Sequence, residues 1–171
     1  MDILENLLTR VLEVNKDIAG GEILKESIIR HKEDILHLQR EQLFAGIASD
    51  GQYIHPFYSE DVKPKGYFKN RQSAKRYTQW KTTLSYPASV TRGNDDAPNL
   101  YINGKFHSEL IADCGEEAIT IDGNTASAKQ IISKYGIDTF GLSSENWEKM
   151  FSDYGITDEL IDKIKQKLYG N

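Results

Sequence analysis

A chain of 171 residues can bury about two-thirds of the surface its unfolded form exposes, so one cored domain with a short appendage is expected. Its lone cysteine, Cys114, excludes an internal disulfide framework and a CxxC metal site. No apolar run approaches the roughly 20 residues that cross a bilayer, and MDILENLLTR lacks the basic n-region of a secretory signal. The net charge of −5 is divided into −6 over residues 1–62, +7 over 63–81 and −6 over 82–171, a distribution suited to one subunit's basic face meeting a neighbour's acidic one.

Along the chain, Ile3, Leu4, Leu7, Leu8, Val11 and Leu12 recur at helical spacing, which predicts a helix over 2–16. Gly20-Gly21 ends it. A second helix is expected from Glu22 to about Lys32, with Ile23, Leu24, Ile28 and His31 on one side. Residues 1–33 read as an N-terminal helical arm, or as a hairpin packed on the domain formed by 34–171.

The alternation of Leu36, Leu38, Arg40, Gln42 and Phe44 predicts a strand over 34–44, although the same residues also fit a continuing helix. Asp50-Gly51 is a strong hairpin-turn pair, which places a second, short strand near 51–55. Asp61–Gly66 is a loop. Asn70 is a candidate N-cap for a helix from Arg71 to about Leu84, with Ala74, Tyr77 and Thr78 on one face. Pro87 ends that helix, and residues 85–99 form a long polar loop.

HSELIADCGEEAITIDG predicts a β-hairpin over 107–121 with its turn at Gly115-Glu116. Leu110, Ala112 and either Ile119 or Ile121 would share its buried face. A short helix follows over 126–134, stopped by Gly136. Ser143 caps a further helix to about Phe151, and Thr157 caps the last one, striped by Leu160, Ile161, Ile164 and Leu168. These elements predict an α+β domain: a small, mostly antiparallel sheet of about four strands with packed helices, plus the N-terminal arm.

Catalytic signatures are missing. His31, His37, His55 and His107 have no metal-ligand spacing, and neither a nucleophile elbow, a P-loop nor a dinucleotide-binding glycine pattern occurs. Glu116-Glu117 and Asp95-Asp96 read as solvated turn and loop pairs. No catalytic, cofactor or metal residue is assigned, and a non-enzymatic protein is expected. In contrast, KPKGYFKNRQSAKRYTQWK carries seven cations and no acid, interleaved with Tyr67, Phe68, Tyr77 and Trp80. Lys63, Lys65, Lys69, Arg71, Lys75, Arg76 and Lys81 form a candidate contact surface for an adjacent subunit or for DNA. Arg92, Asp95 and Asp96 mark a candidate docking loop.

Two segments carry a family resemblance. Asn103-Gly104-Lys105-Phe106-His107-Ser108-Glu109-Leu110-Ile111 resembles the T-G-x-L-x-x-S-I signature of small phage proteins that finish the neck between head and tail. It departs from that signature at Asn103 and Phe106, where Thr and Leu would be expected. Phe140-Gly141-Leu142-Ser143-Ser144-Glu145 resembles the F-G-L-S-x-E segment of phage tail-completion proteins. The resemblance covers 34–169. It implies a structural virion protein that forms a ring of six or twelve copies at the head–tail junction below the portal. Such a protein would be assembled in the host bacterial cytoplasm and would touch portal, adaptor or tail proteins and the DNA in the channel. The alternative from a different class is a cytoplasmic nucleic-acid-binding module that uses 63–81.

Overall fold

The computed structural model describes residues 3–114, 119–123 and 126–169. The class is α+β, built from helices and one small antiparallel sheet. The chain divides into two compact units, residues 1–34 with 147–171, and residues 35–146.

The first unit is helical. Helices α1 (Ile3–Ala19) and α2 (Glu22–Arg30) pack on the C-terminal helix α8 (Ile156–Tyr169). Gly21 makes the joint between α1 and α2, at φ 73°. Residues 147–171 group with these N-terminal helices. The reason is charge as well as burial of Ile23, Ile28 and Ile156. Lys163 Nζ lies 2.8 Å from Glu26, Lys167 pairs with Asp17, and Arg30 reaches Glu159 at 3.5 Å. α8 begins at Ile156 behind Gly155, so Thr157 lies within its first turn rather than capping it.

His31 sits between two carboxylates of this unit, Asp34 at 2.8 Å and Glu159 at 3.1 Å. Burial disfavours its charged form, but these two hydrogen bonds outweigh burial and raise its pKa above the ordinary value.

In the second unit, the expected strand at 34–44 is helical instead: α3 spans Lys32–Phe44. Its buried positions include Ile35, Leu36, Leu38, Gln39, Gln42 and Leu43, which is helical spacing. Two of those positions are amides, so the apolar stripe is broken in sequence and a false period of two stands out. The expected strand at 51–55 reduces to one isolated bridge, Ile47 to Tyr53, although the Asp50-Gly51 turn does form. Gly51 has φ 78°, and the Gln52 N–H donates to Asp50 Oδ1 at 2.9 Å. Four strands thus become two among the described residues.

Helix α4 (Arg71–Thr82) is capped by Asn70 in a full capping box with Ser73. A four-residue helical turn, α5 (Lys105–Ser108), replaces the start of the expected hairpin. β1 (Leu110–Cys114) then pairs with β2 (Ile119–Gly123) in the register Leu110↔Gly123, Ala112↔Ile121. Leu110, Ala112 and Ile121 are buried, while Ile111 and Asp113 face outward. The expected turn at Gly115-Glu116 and the side chain of Ile119 lie outside the described residues. Helix α6 (Ala126–Tyr135) stops at Gly136, whose φ is 91°. A 3-10 turn over Ile137–Thr139 leads to Ser143, the cap of α7 (Ser144–Ser152).

Candidate functional site

The basic segment begins in a tight loop. Lys63 N–H donates to the Phe68 carbonyl at 2.8 Å, Phe68 N–H to the Asp61 carbonyl at 2.8 Å, and Gly66 N–H to the Val62 carbonyl at 2.9 Å. A Cβ at Gly66 would lie 2.1 Å from the Asp61 carbonyl carbon, so only glycine closes this loop. Asp61 is buried beneath it, taking the Tyr67 N–H at 2.9 Å and Lys134 Nζ at 2.5 Å. α4 then presses Ala74 and Tyr77 onto Tyr58 and Phe68, with ring centroids 5.0 and 5.2 Å from that of Tyr77.

This packing turns Lys63, Lys65, Lys69, Arg71, Lys75 and Arg76 to solvent. None of the six joins an ion pair among the described residues. Tyr67 is 75% exposed and Trp80 44%, so two rings stand among the cations.

Lys81 is a correction. It lies seven residues beyond Ala74, on the inner face of α4, and is 3% exposed. Its Nζ donates to Asn99 Oδ1 at 2.5 Å and to the Tyr101 carbonyl. Burial, with help from the Arg92 charge, pushes its pKa down to about 8. Lys81 is therefore a buried structural lysine and leaves the contact surface.

The proposed docking loop is likewise committed inward. Arg92 pairs with Asp95 and lies over the Tyr86 ring at 4.8 Å. Asp96 takes the Ser59 N–H at 3.0 Å, and its carbonyl takes the Tyr58 N–H at 3.0 Å. A Cβ at Gly93 would stand 2.1 Å from the Ala45 carbonyl oxygen, so the loop backbone lies against the end of α3. Only Asp95 of the three has a mostly exposed side chain besides its ion pair.

The same loop covers His107, a residue to which the sequence assigned no role. His107 is 3% exposed and stacks on Phe44 with centroids 4.3 Å apart and planes at 17°. Neither ring nitrogen has a partner of good hydrogen-bond geometry, although a backbone contact with Asn99 acts to hold its pKa up. Burial pushes its pKa down to about 4, and the Lys81 and Arg40 charges act the same way. Arg40 Nε donates to the His107 carbonyl at 2.9 Å. Beside this stack opens a cleft of about 740 Å³, lined in part by Arg40, Pro87, Tyr101, Asn103 and Lys105.

The two histidines should make the two units respond oppositely to pH. The folded value of His107 lies below the ordinary 6.5, so between the two values only the unfolded chain takes up the proton. Stability of residues 35–146 is complete above pH 6.5 and falls by about 3 kcal/mol as pH drops to about 4. His31 is raised, so its contribution is complete below 6.5 and is lost as pH rises through its folded value. Trp80 and Trp147, the two tryptophans, lie one in each unit. Urea melts of Trp80→Phe and Trp147→Phe, followed by fluorescence, should shift in opposite directions between mildly acidic and mildly alkaline buffer. Parallel shifts would rule out this assignment.

The two family-like segments meet on α3. Gly141 N–H donates to Gln39 Oε1 at 2.8 Å, Gln42 Nε2 to the Gly141 carbonyl at 2.9 Å, and Ser143 N–H to Gln42 Oε1 at 2.8 Å. One residue beyond Gln39, Arg40 holds the first segment through His107. Phe106 meets Phe140 edge-on at 6.1 Å. These amides were missed in sequence. Their only signal was polar residues standing at the helical repeat of the apolar ones.

No protein-family model, curated protein or solved structure matches this chain. Among the described residues, no group of three or more His, Cys, Asp or Glu converges as a metal site, and no helix is long and apolar enough to cross a membrane.

Proposed function

We propose that the chain is a structural virion protein of a tailed phage. It forms a ring at the head–tail junction below the portal, as a connector or tail-completion subunit, and does not act as an enzyme. The observation that carries this reading is the joint packing of the two family-like segments. Both are clasped by α3 through Gln39, Arg40 and Gln42, so they serve one shared core. A motif that specifies a core rather than a catalytic cluster suits a subunit whose work is to hold shape.

Two surfaces support assembly. Leu8 and Leu12, one turn apart on α1, are each 61% exposed, and a stripe of this kind is a contact surface for a partner. The six exposed cations of 63–76 face outward on a chain that is otherwise acidic. A ring contact is heterologous, so it needs two different complementary faces. Copies of itself, portal, adaptor or tail proteins, and DNA in the channel are the proposed partners. The virion, assembled in the bacterial cytoplasm, is the proposed location.

Mass spectrometry of purified particles should find the chain, and electron microscopy should place it as a ring between head and tail. Particles that lack it would remove this reading.

A nucleic-acid-binding module remains the second reading, favoured by the exposed rings of Tyr67 and Trp80 among unpaired cations. The double substitution Lys75→Glu with Arg76→Glu separates the two. Both residues are exposed, so the fold should persist. In the ring reading, assembly into particles fails. In the nucleic-acid reading, anisotropy titrations with duplex DNA lose affinity, and the salt dependence of binding flattens by about 0.9 per phosphate contact removed.

A further inference from the structure

The cleft beside His107 has the composition of a receptor. Its lining is aromatic at Phe44, Tyr101 and His107, with Pro87 beside them. Its charged groups are Arg40 and Lys105, and no acidic residue lines it. Arg40 is anchored by Nε alone, and no other Arg40 hydrogen bond forms among the described residues. Lys105 is solvent-facing and pairs with Glu109 at 3.7 Å, a loose contact on an exposed side chain. Beside them stands the His107 ring, buried against Phe44. Rings and Pro87 beside two cations fit an apolar side chain next to a carboxylate.

The same unit carries such a pair. The 3-10 turn buries Thr139, at 1% exposure, and Phe140 behind it, which thrusts Ile137 outward to 65% exposure. Asp138 beside it is exposed, and its carboxylate has no partner among the described residues. Its backbone is fixed, because Ser49 N–H donates to the Asp138 carbonyl at 2.7 Å. Ile137-Asp138 is thus a held knob with an apolar tip and an unpaired negative charge.

We propose that the Ile137-Asp138 knob of one copy seats in the cleft of the next copy. Ile137 lies against Pro87, and the Asp138 carboxylate against Arg40 and Lys105. This deepens, and rests on, the reading of the chain as a self-assembling ring subunit. Knob and cleft are different patches of one unit, so the contact is heterologous and repeats from copy to copy, as a ring requires. Each contact is small, and closing the ring adds the strength that one contact lacks.

The test is disulfide trapping in the full chain with Cys114→Ser as background. Ile137→Cys combined with Pro87→Cys, both exposed positions, should give a ladder of linked copies on oxidation, whereas either substitution alone should give none. Adding Asp138→Lys should cut the ladder roughly fivefold, and adding Lys105→Glu to that chain should restore it. Thermal melts of every variant confirm the fold. If light scattering shows self-association but the double-cysteine chain gives no ladder, or the ladder ignores Asp138→Lys, this contact is overturned while the ring reading stands. A chain that neither self-associates at any concentration nor cross-links overturns both.

Discussion

Lys81→Glu should unfold residues 35–146, or lower their melting temperature by about 15 °C or more, corresponding to a loss of about 4 kcal/mol. The ammonium now meets the Asn99 side-chain oxygen and the Tyr101 carbonyl at a position that is 3% exposed. A carboxylate there would face two acceptors in place of the ammonium's two hydrogen bonds, at a site closed to water. Lys81→Met separates charge from shape. It leaves the Tyr101 carbonyl without Nζ, but Asn99 Oδ1 still takes the Tyr101 N–H at 3.2 Å, so the cost should be only about 1–3 kcal/mol. Differential scanning calorimetry of the three chains decides the matter. A Lys81→Glu chain that melts with the parent would return Lys81 to the surface. For this reason, tests of the basic face should use Lys75 and Arg76 and leave Lys81 intact.

Leu110→Asp is the second substitution with a large expected effect. Leu110 is 3% exposed and pairs with Gly123, on the hairpin face shared by Ala112 and Ile121. The substitution removes a buried side chain and inserts an unpaired charge, for a loss of about 4 kcal/mol or more. Ile111→Asp is the control. Ile111 is 43% exposed on the opposite face, so its cost should stay within about 1 kcal/mol. A one-residue slip of register would exchange the two results, because side chains alternate faces along a strand. Chemical denaturation of both variants reads the register directly. A Leu110→Asp chain with unchanged stability would refute the buried face.

Local physics was legible in the residues themselves. Asn70 caps α4, Gly136 stops α6, Asp50-Gly51 turns the chain, and the 110–114 strand alternates, because each effect acts within a few residues. The class of the fold, the lone cysteine and the charge blocks are likewise properties of the linear chain. What reached across the chain was not legible. α3 looked like a strand because Gln39 and Gln42 are polar on their own and suit a buried face only once the Gly141 and Ser143 N–H groups engage their side-chain oxygens, about a hundred residues away. Lys81 looked like one more surface cation until Asn99 and Tyr101 enclosed it. The N-terminal helices read equally as an arm or as a packed hairpin, since α8, which pairs with them, lies at the far end of the sequence. In each case the deciding partner is distant in sequence, so only tertiary packing determines whether a polar or charged group is buried.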